Sequence, residues 1–324
     1  MHTDVAIIGA GLAGFSAARE LRRAGLSVAI VDKGRGVGGR LATRRMGDAR
    51  LDHGAQFFTV RGDAFRSVID RALADGIVEV WCHGFTKDDG YPRYACPGGM
   101  TALAKWLAAD LSITLSSRIV NLSRQDDHWA MSDEDKQTWT AEHVIVTAPV
   151  PQIRDLLNVS GLALEPKHEA ALADIAYKPV IGLLVTLDGP SAVPEPGAVQ
   201  ATEDDTFTFI ADNQAKGVSP VPALTFHCNG ELSAQRWDDP EVEVLADLIL
   251  EASPWIGDAA VLEMQLKKWR YAGPLSPYPE RSLTIFEEPG LVVLAGDAFG
   301  GPKVEGAFNS GQAAARTITS FVHQ

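Results

Sequence analysis

The chain has 324 residues, 46% hydrophobic and 22% charged, which is enough apolar material for one large globular domain or two smaller ones. A net charge of −13 excludes nonspecific attraction to nucleic acid or to an anionic membrane surface, so any anionic ligand needs a local cationic patch. Three scattered cysteines, Cys82, Cys96 and Cys228, form no CxxC pair, which excludes the usual zinc and dithiol sites and suits a reducing compartment.

The apolar run Val5-Ala6-Ile7-Ile8 predicts a strand that enters Gly9-Ala10-Gly11-Leu12-Ala13-Gly14. Glycines at the first, third and sixth places allow a tight turn, bare backbone against a pyrophosphate, and close packing of the next helix on the sheet. That helix is expected over Leu12–Ala24, with Gly25 ending it and a second strand, Ser27–Val31, closing on Asp32. An acid at this place suits a ribose hydroxyl. A lone GxGxxG is weak; the strand before it, the helix after it and the acid make it strong.

Next comes Lys33-Gly34-Arg35-Gly36-Val37-Gly38-Gly39-Arg40, a second glycine cluster with arginine forks that match phosphate. Leu51-Asp52-His53-Gly54-Ala55-Gln56-Phe57-Phe58 sets small residues beside an aromatic pair, fit for backbone against a flat ring system. His53 on its own reads as a structural histidine. A helix is expected over Asp63–Ala74, and another over Met100–Ala109 after the loop Tyr91–Gly99. Strands are expected over Ile113–Leu122, His128–Met131, Thr138–Ala141 and His143–Ala148.

Pro151–Leu283 changes texture. Helical stretches at Gln152–Leu157, Pro166–Ile175 and Glu241–Ala252 alternate with strand-like runs at Val180–Leu187, Thr206–Ile210, Ala223–Cys228 and Val261–Trp269, which implies a mainly antiparallel sheet with flanking helices. From Ile285 the early texture returns: the strand Leu291–Ala295, then Gly296-Asp297-Ala298-Phe299, a glycine-rich turn and the helix Asn309–Phe321. The nucleotide domain is thus expected to be discontinuous.

Gly9–Gly14 with Asp32, Gly38-Gly39-Arg40, Val144–Pro149, and Ala295-Gly296-Asp297 with Val304-Glu305-Gly306-Ala307 together resemble the two-domain FAD-dependent amine oxidase superfamily over nearly the whole chain. Within it, Lys33-Gly34-Arg35 before Gly38-Gly39-Arg40, and Asp52–Phe58, look most like the bacterial renalases. The resemblance implies an α/β chain: a Rossmann-type FAD-binding domain (residues 1–60, 107–150 and 284–324) and a smaller α+β substrate domain (61–106 and 151–283).

It also implies FAD held by Gly9, Ala10, Gly11, Leu12, Ala13 and Gly14 at the pyrophosphate, Asp32 at the adenosine ribose and Arg40 over phosphate, with Lys33 and Gly39 as further cofactor contacts. Ala55, Gln56, Phe57, Gly296, Asp297, Val304, Glu305, Gly306 and Ala307 would take the ribityl and ring portions. No cysteine lies in the last quarter, so noncovalent flavin is expected.

The family activity implied is oxidation of misreduced 2-dihydro and 6-dihydro nicotinamide dinucleotides, with dioxygen as the second substrate and hydrogen peroxide released. Amine oxidases commonly carry a lysine on a substrate-domain strand; Thr186 stands at the matching place here. Expected substrate contacts are Phe57, Arg61, Tyr94, Thr186, Trp269, Arg270 and Lys303, with no protein acid or base as catalyst. The rival readings are an amine oxidase or desaturase-type enzyme and a noncatalytic flavin scaffold. With the glycine turn so near the N-terminus and no run long enough to span a bilayer, a cytoplasmic location is expected.

Overall fold

The computed structural model describes residues 2–85, 89–202 and 205–323. The chain divides into two compact units, Met1–Gly39 with Ala104–Ala176 and Gly273–Gln324, and Arg40–Leu103 with Tyr177–Ala272.

The first unit is built on an eight-stranded sheet in the order Leu283–Phe286, Val292–Leu294, Thr138–Val146, His2–Ile8, Val28–Val31, Ile113–Thr114, with Trp129–Asp133 and Ile119–Arg124 continuing from Thr138–Val146. His2–Ile8 runs parallel to both its neighbours. Val5, Ala6, Ile7, Val144, Ile145, Val292 and Val293 are fully buried, the apolar continuity expected of parallel strands covered on both faces.

The helices Leu12–Arg23 and Val304–Val322 pack closely, because a Cβ at Gly311 would strike the Ala13 carbonyl. Ser16 Oγ donates to the Phe308 carbonyl at 2.7 Å, fixing their register.

Two strand expectations merge: Thr138–Ala141 and His143–Ala148 form the single strand Thr138–Val146. Another splits. Ile113–Leu122 is interrupted where Ser116 takes a positive φ of 57°, its N–H donating to the Gly34 carbonyl at 2.9 Å. The final helix starts at Val304, so Val304–Ala307 is its first turn rather than a loop before it.

The second unit carries a five-stranded sheet in the order Ala198–Gln200, Phe207–Asp212, Ala223–Cys228, Tyr177–Leu187, Val261–Pro274. Alternation sorts its side chains between two faces. Ile181, Leu183, Val185, Leu187, Leu224 and Phe226 pack against Val244, Leu248, Ala252 and Ile256 of the helix Glu241–Ile256. Leu184 and Ala223 face the other way, against Met46, Ala49 and Leu51 of the hairpin Thr43–Met46 and Ala49–Asp52.

The compact units divide at other places than the expected domain boundaries. Residues 40–60 belong with the second unit, tied in by Thr225 Oγ1 donating to the Asp52 carbonyl at 2.9 Å. Residues 151–176 belong with the first, where Leu122 N–H donates to Ser160 Oγ at 2.9 Å and Lys33 Nζ to Gln152 Oε1 at 2.9 Å.

Candidate functional site

In the first unit, the strand His2–Ile8 delivers the chain to Gly9, whose φ of +118° favours glycine. A Cβ there would strike Thr147 Oγ1, which donates to the Ile8 carbonyl at 3.1 Å. Gly14 is glycine for packing, since a Cβ would collide with the Gly9 carbonyl. Gly11 differs: a Cβ would meet nothing within 4 Å. Space, not packing, explains that glycine.

Gly11 is also the N-cap of Leu12–Arg23, with no side chain capping it and Leu12, Ala13 and Gly14 buried. The N–H groups of such a first turn favour a phosphate oxygen. An open cradle over an uncapped helix start fits the pyrophosphate of FAD.

Asp32 organises the turn. Its Oδ2 accepts from Ala10 N–H at 2.6 Å and its Oδ1 from Gly34 N–H at 2.6 Å, so the acid spans both glycine clusters. Gly38 N–H donates to the Ala10 carbonyl at 2.8 Å, bringing Gly38-Gly39 back onto the first turn. Burial and the Arg118 guanidinium press the pKa of Lys33 below the ordinary lysine value, with Asp32 opposing.

At the far end of the chain, Gly296 has a φ of +138° and donates its N–H to Ser310 Oγ at 2.8 Å; that hydroxyl donates to the Arg281 carbonyl at 2.6 Å. Asp297 follows, largely buried, at the start of Asp297–Gly300. Lys303 is exposed at the N-cap of Val304–Val322, which again has no side-chain cap. Val304, Glu305 and Ala307 are partly buried and Gly306 is buried, where a Cβ would strike the Gly300 and Gly301 carbonyls.

In the second unit, the segment after Asp52 is held from several sides. Lys216 Nζ lies 2.8 Å from Asp52 Oδ2 and 5.3 Å from the Trp81 ring centroid. Asp52 Oδ1 accepts from Thr43 Oγ1 at 2.6 Å and Met100 N–H at 2.8 Å, while Asn213 Oδ1 accepts from Asp52 N–H at 3.1 Å.

The His53 carbonyl then accepts from Trp269 Nε1–H at 2.7 Å and faces His227 Nε2 at 3.2 Å, which places the His227 proton on Nε2. The His53 ring stacks on Trp269 with centroids 5.3 Å apart. Its Nδ1 is buried with no partner among the described residues, as is Gln56 Oε1. Burial, then Lys267, His227 and Arg44, push the His53 pKa down to about 3. Burial drives His227 down to about 4. Both imidazoles are neutral at physiological pH.

The expected substrate contacts separate. Trp269 meets Gln56, an expected cofactor contact, around His53 and His227, with Gln56 Nε2 donating to the Asp52 carbonyl at 2.7 Å. Phe57 joins Phe85 and Phe209, at 4.9 and 5.7 Å, under the Arg93 guanidinium. Thr186 is buried, on the strand face that carries Leu184 and Ala223. Arg61 is exposed.

Two of the expected contacts lie apart from this group. Tyr94 is a core residue, stacked on Phe58 with its hydroxyl accepting from Arg66 Nη1 at 3.3 Å. Arg270 lies over Trp237 at 4.8 Å, on the strand face opposite Trp269, because neighbours along a strand point opposite ways. Arg40 donates to the Tyr271 and Ala272 carbonyls at 3.2 and 3.3 Å, and Ala55 N–H donates to the Arg40 carbonyl at 2.8 Å.

Lys216 and Asn213 escaped sequence reasoning, since a lone lysine reads as a surface residue. Cys96 and Cys228 are pushed up to about 12 by burial, so neither thiol is a nucleophile at neutral pH. Among the described residues no cluster of acidic, histidine or cysteine side chains can hold a metal, and no helix is long and apolar enough to cross a membrane.

Residues 78–319 match the family of flavin containing amine oxidoreductases, and residues 7–72 match an NAD(P)-binding Rossmann-like domain. The fold is similar to that of a protein described as a protoporphyrinogen oxidase from Exiguobacterium sp. 255-15, with a TM-score of 0.72, 13% identity and 99% of each chain covered. It is also similar to the cyclohexylamine oxidase of Brevibacterium oxydans IH-35A, with a TM-score of 0.71, 16% identity and 99% of this chain and 100% of that one covered. A redesigned putrescine oxidase aligns at a TM-score of 0.66 and 16% identity over 99% of each chain. With its Rossmann turn and a family match over most of its length, the chain belongs to the flavin containing amine oxidoreductases and uses FAD.

Proposed function

We propose that this protein oxidises misreduced dihydronicotinamide dinucleotides, the 2-dihydro and 6-dihydro isomers, to the ordinary oxidised form. FAD, when bound, takes up the hydride given by the dihydropyridine and passes the electrons to dioxygen, with release of hydrogen peroxide. The reading places noncovalent FAD on Gly9–Gly14, Asp32, Gly39, Asp297 and the first turn at Val304–Ala307.

The observation that carries this reading is the sign of the charge around His53. Burial disfavours a cation there, and Lys267 and Arg44, the two charged side chains that act on the ring, disfavour it further. An ammonium substrate meets the same repulsion, whereas a dinucleotide brings phosphates that the lysine and arginine favour. Asp52 is committed to Lys216, and both imidazoles are neutral, so neither supplies a base for an ammonium.

No protein base is needed, because the pyridine regains aromaticity as the hydride leaves. The chain then has to hold a flat ring in one orientation. Trp269, stacked on His53, and Phe57 in its aromatic group supply flat, preorganised walls for that task.

An amine substrate is the second reading, supported by the family match and by two fold neighbours described as amine oxidases. The two separate in a steady-state assay of peroxide release. Borohydride-reduced nicotinamide dinucleotide, a mixture of dihydro isomers, is expected to yield peroxide and the oxidised dinucleotide in equal amounts, with no response to a panel of primary and secondary amines. Turnover of amines alone would replace this reading with the second.

A further inference from the structure

The strand Val261–Pro274 forms one edge of the five-stranded sheet, and among the described residues no strand pairs with its outer side. It is long for an edge, and its first four residues are exposed: Leu262 at 67%, Met264 at 39% and Val261 at 37%. An edge of this kind is a template for another strand, and natural proteins ordinarily shorten it, cover it or charge it.

The side chains alternate. Leu266 packs toward the helix-side core, and Lys268 and Arg270 lie over Trp237, so Leu262, Met264 and Leu266 form an apolar row on that side. Trp269 faces His53, which puts Glu263, Gln265 and Lys267 on the other side; Gln265 Nε2 donates to Glu263 Oε1 at 2.7 Å along it.

We propose that this strand pairs antiparallel with the same strand of a second copy of the chain, about a two-fold axis through Gln265, to give one continuous ten-stranded sheet. A two-fold axis perpendicular to a sheet returns each face to itself, so a residue can stand opposite only a residue of its own face. The axis must therefore pass through a residue, and the charges decide which one.

At Gln265 it sets Glu263 opposite the partner's Lys267 twice over, and Met264 opposite the partner's Leu266 on the apolar side. At Met264 it would set Glu263 against glutamine, and at Leu266 against tryptophan. Of these registers only Gln265 matches acid with base; on the other side it pairs Met264 with Leu266 and lays Leu262 along the stem of the partner's Lys268. The lysines that would blunt this edge toward an arbitrary partner complete it toward its own copy.

The test is sedimentation equilibrium of the full-length, FAD-loaded protein from low to high micromolar concentration. A mass of two chains is expected. Glu263→Lys turns two attractive pairs into two repulsive ones and should weaken the dimer at least about tenfold. The exchanged variant Glu263→Lys with Lys267→Glu should restore it, which a merely misfolded variant would not do. Monomer throughout the range, a dimer indifferent to Glu263→Lys, or an exchanged variant that stays dissociated would each overturn the proposal.

Discussion

Lys216 Nζ and Asp52 Oδ2 stand 2.8 Å apart with neither side chain exposed to solvent. The pair locks the end of the strand Ala49–Asp52 to the loop after Phe207–Asp212, and His53, Gly54 and Ala55 inherit their position from it.

A buried ion pair contributes little net stability, yet removing one partner strands the other charge. Lys216→Met should therefore lower unfolding free energy by about 3–5 kcal/mol, and Lys216→Met with Asp52→Asn by clearly less. Chemical denaturation of the three proteins checks this, and equal losses in the single and double variants would show the charges to be uncoupled.

Asp32 makes a second prediction. Removing its carboxylate frees the Ala10 and Gly34 amides, so Asp32→Ala should loosen both glycine clusters and leave less FAD on the protein after dialysis. Asp32→Asn keeps one acceptor and turns an amide N–H against a backbone N–H, so its retention should fall between the two. Flavin absorbance per chain reads the order; full retention in Asp32→Ala would contradict it.

The imidazoles give the stability a pH dependence. His53 and His227, with pKa values of about 3 and about 4, bind a proton less readily in the folded chain than in the unfolded one, where histidine titrates near 6.5. The unfolded state thus holds more protons below pH about 6.5, and stability falls as the pH drops from there toward 4. Each residue contributes a slope of up to about 1.4 kcal/mol per pH unit in that window and nothing above it. His53→Leu should flatten the measured slope between pH 6.5 and 4, and an unchanged slope would place the proton uptake elsewhere.

Glycine spacing made the first unit legible. Gly9 and Gly14 exclude any side chain, one by its backbone angle and by Thr147 and the other by the Gly9 carbonyl, while Gly11 stands in open space, and the spacing of all three shows in the sequence. The buried strands announced themselves by apolar continuity. The second unit was harder to read because its site depends on partners far apart in sequence. Asp52 meets Lys216, and the His53 carbonyl meets Trp269, across separations that no local pattern encodes. Trp269 and Arg270 looked like one site because they are adjacent, and the pleat sends them to opposite faces. Tyr94 looked like a loop residue, whereas its bridge to Phe58 draws it into the core.

The central claim is that the bound flavin serves a flat hydride donor rather than an ammonium. Anaerobic mixing of the yellow holoprotein with borohydride-reduced nicotinamide dinucleotide tests it most directly, with flavin absorbance as the readout. Bleaching by the reduced dinucleotide, and none by amines, is the predicted result; bleaching by amines alone would contradict the account.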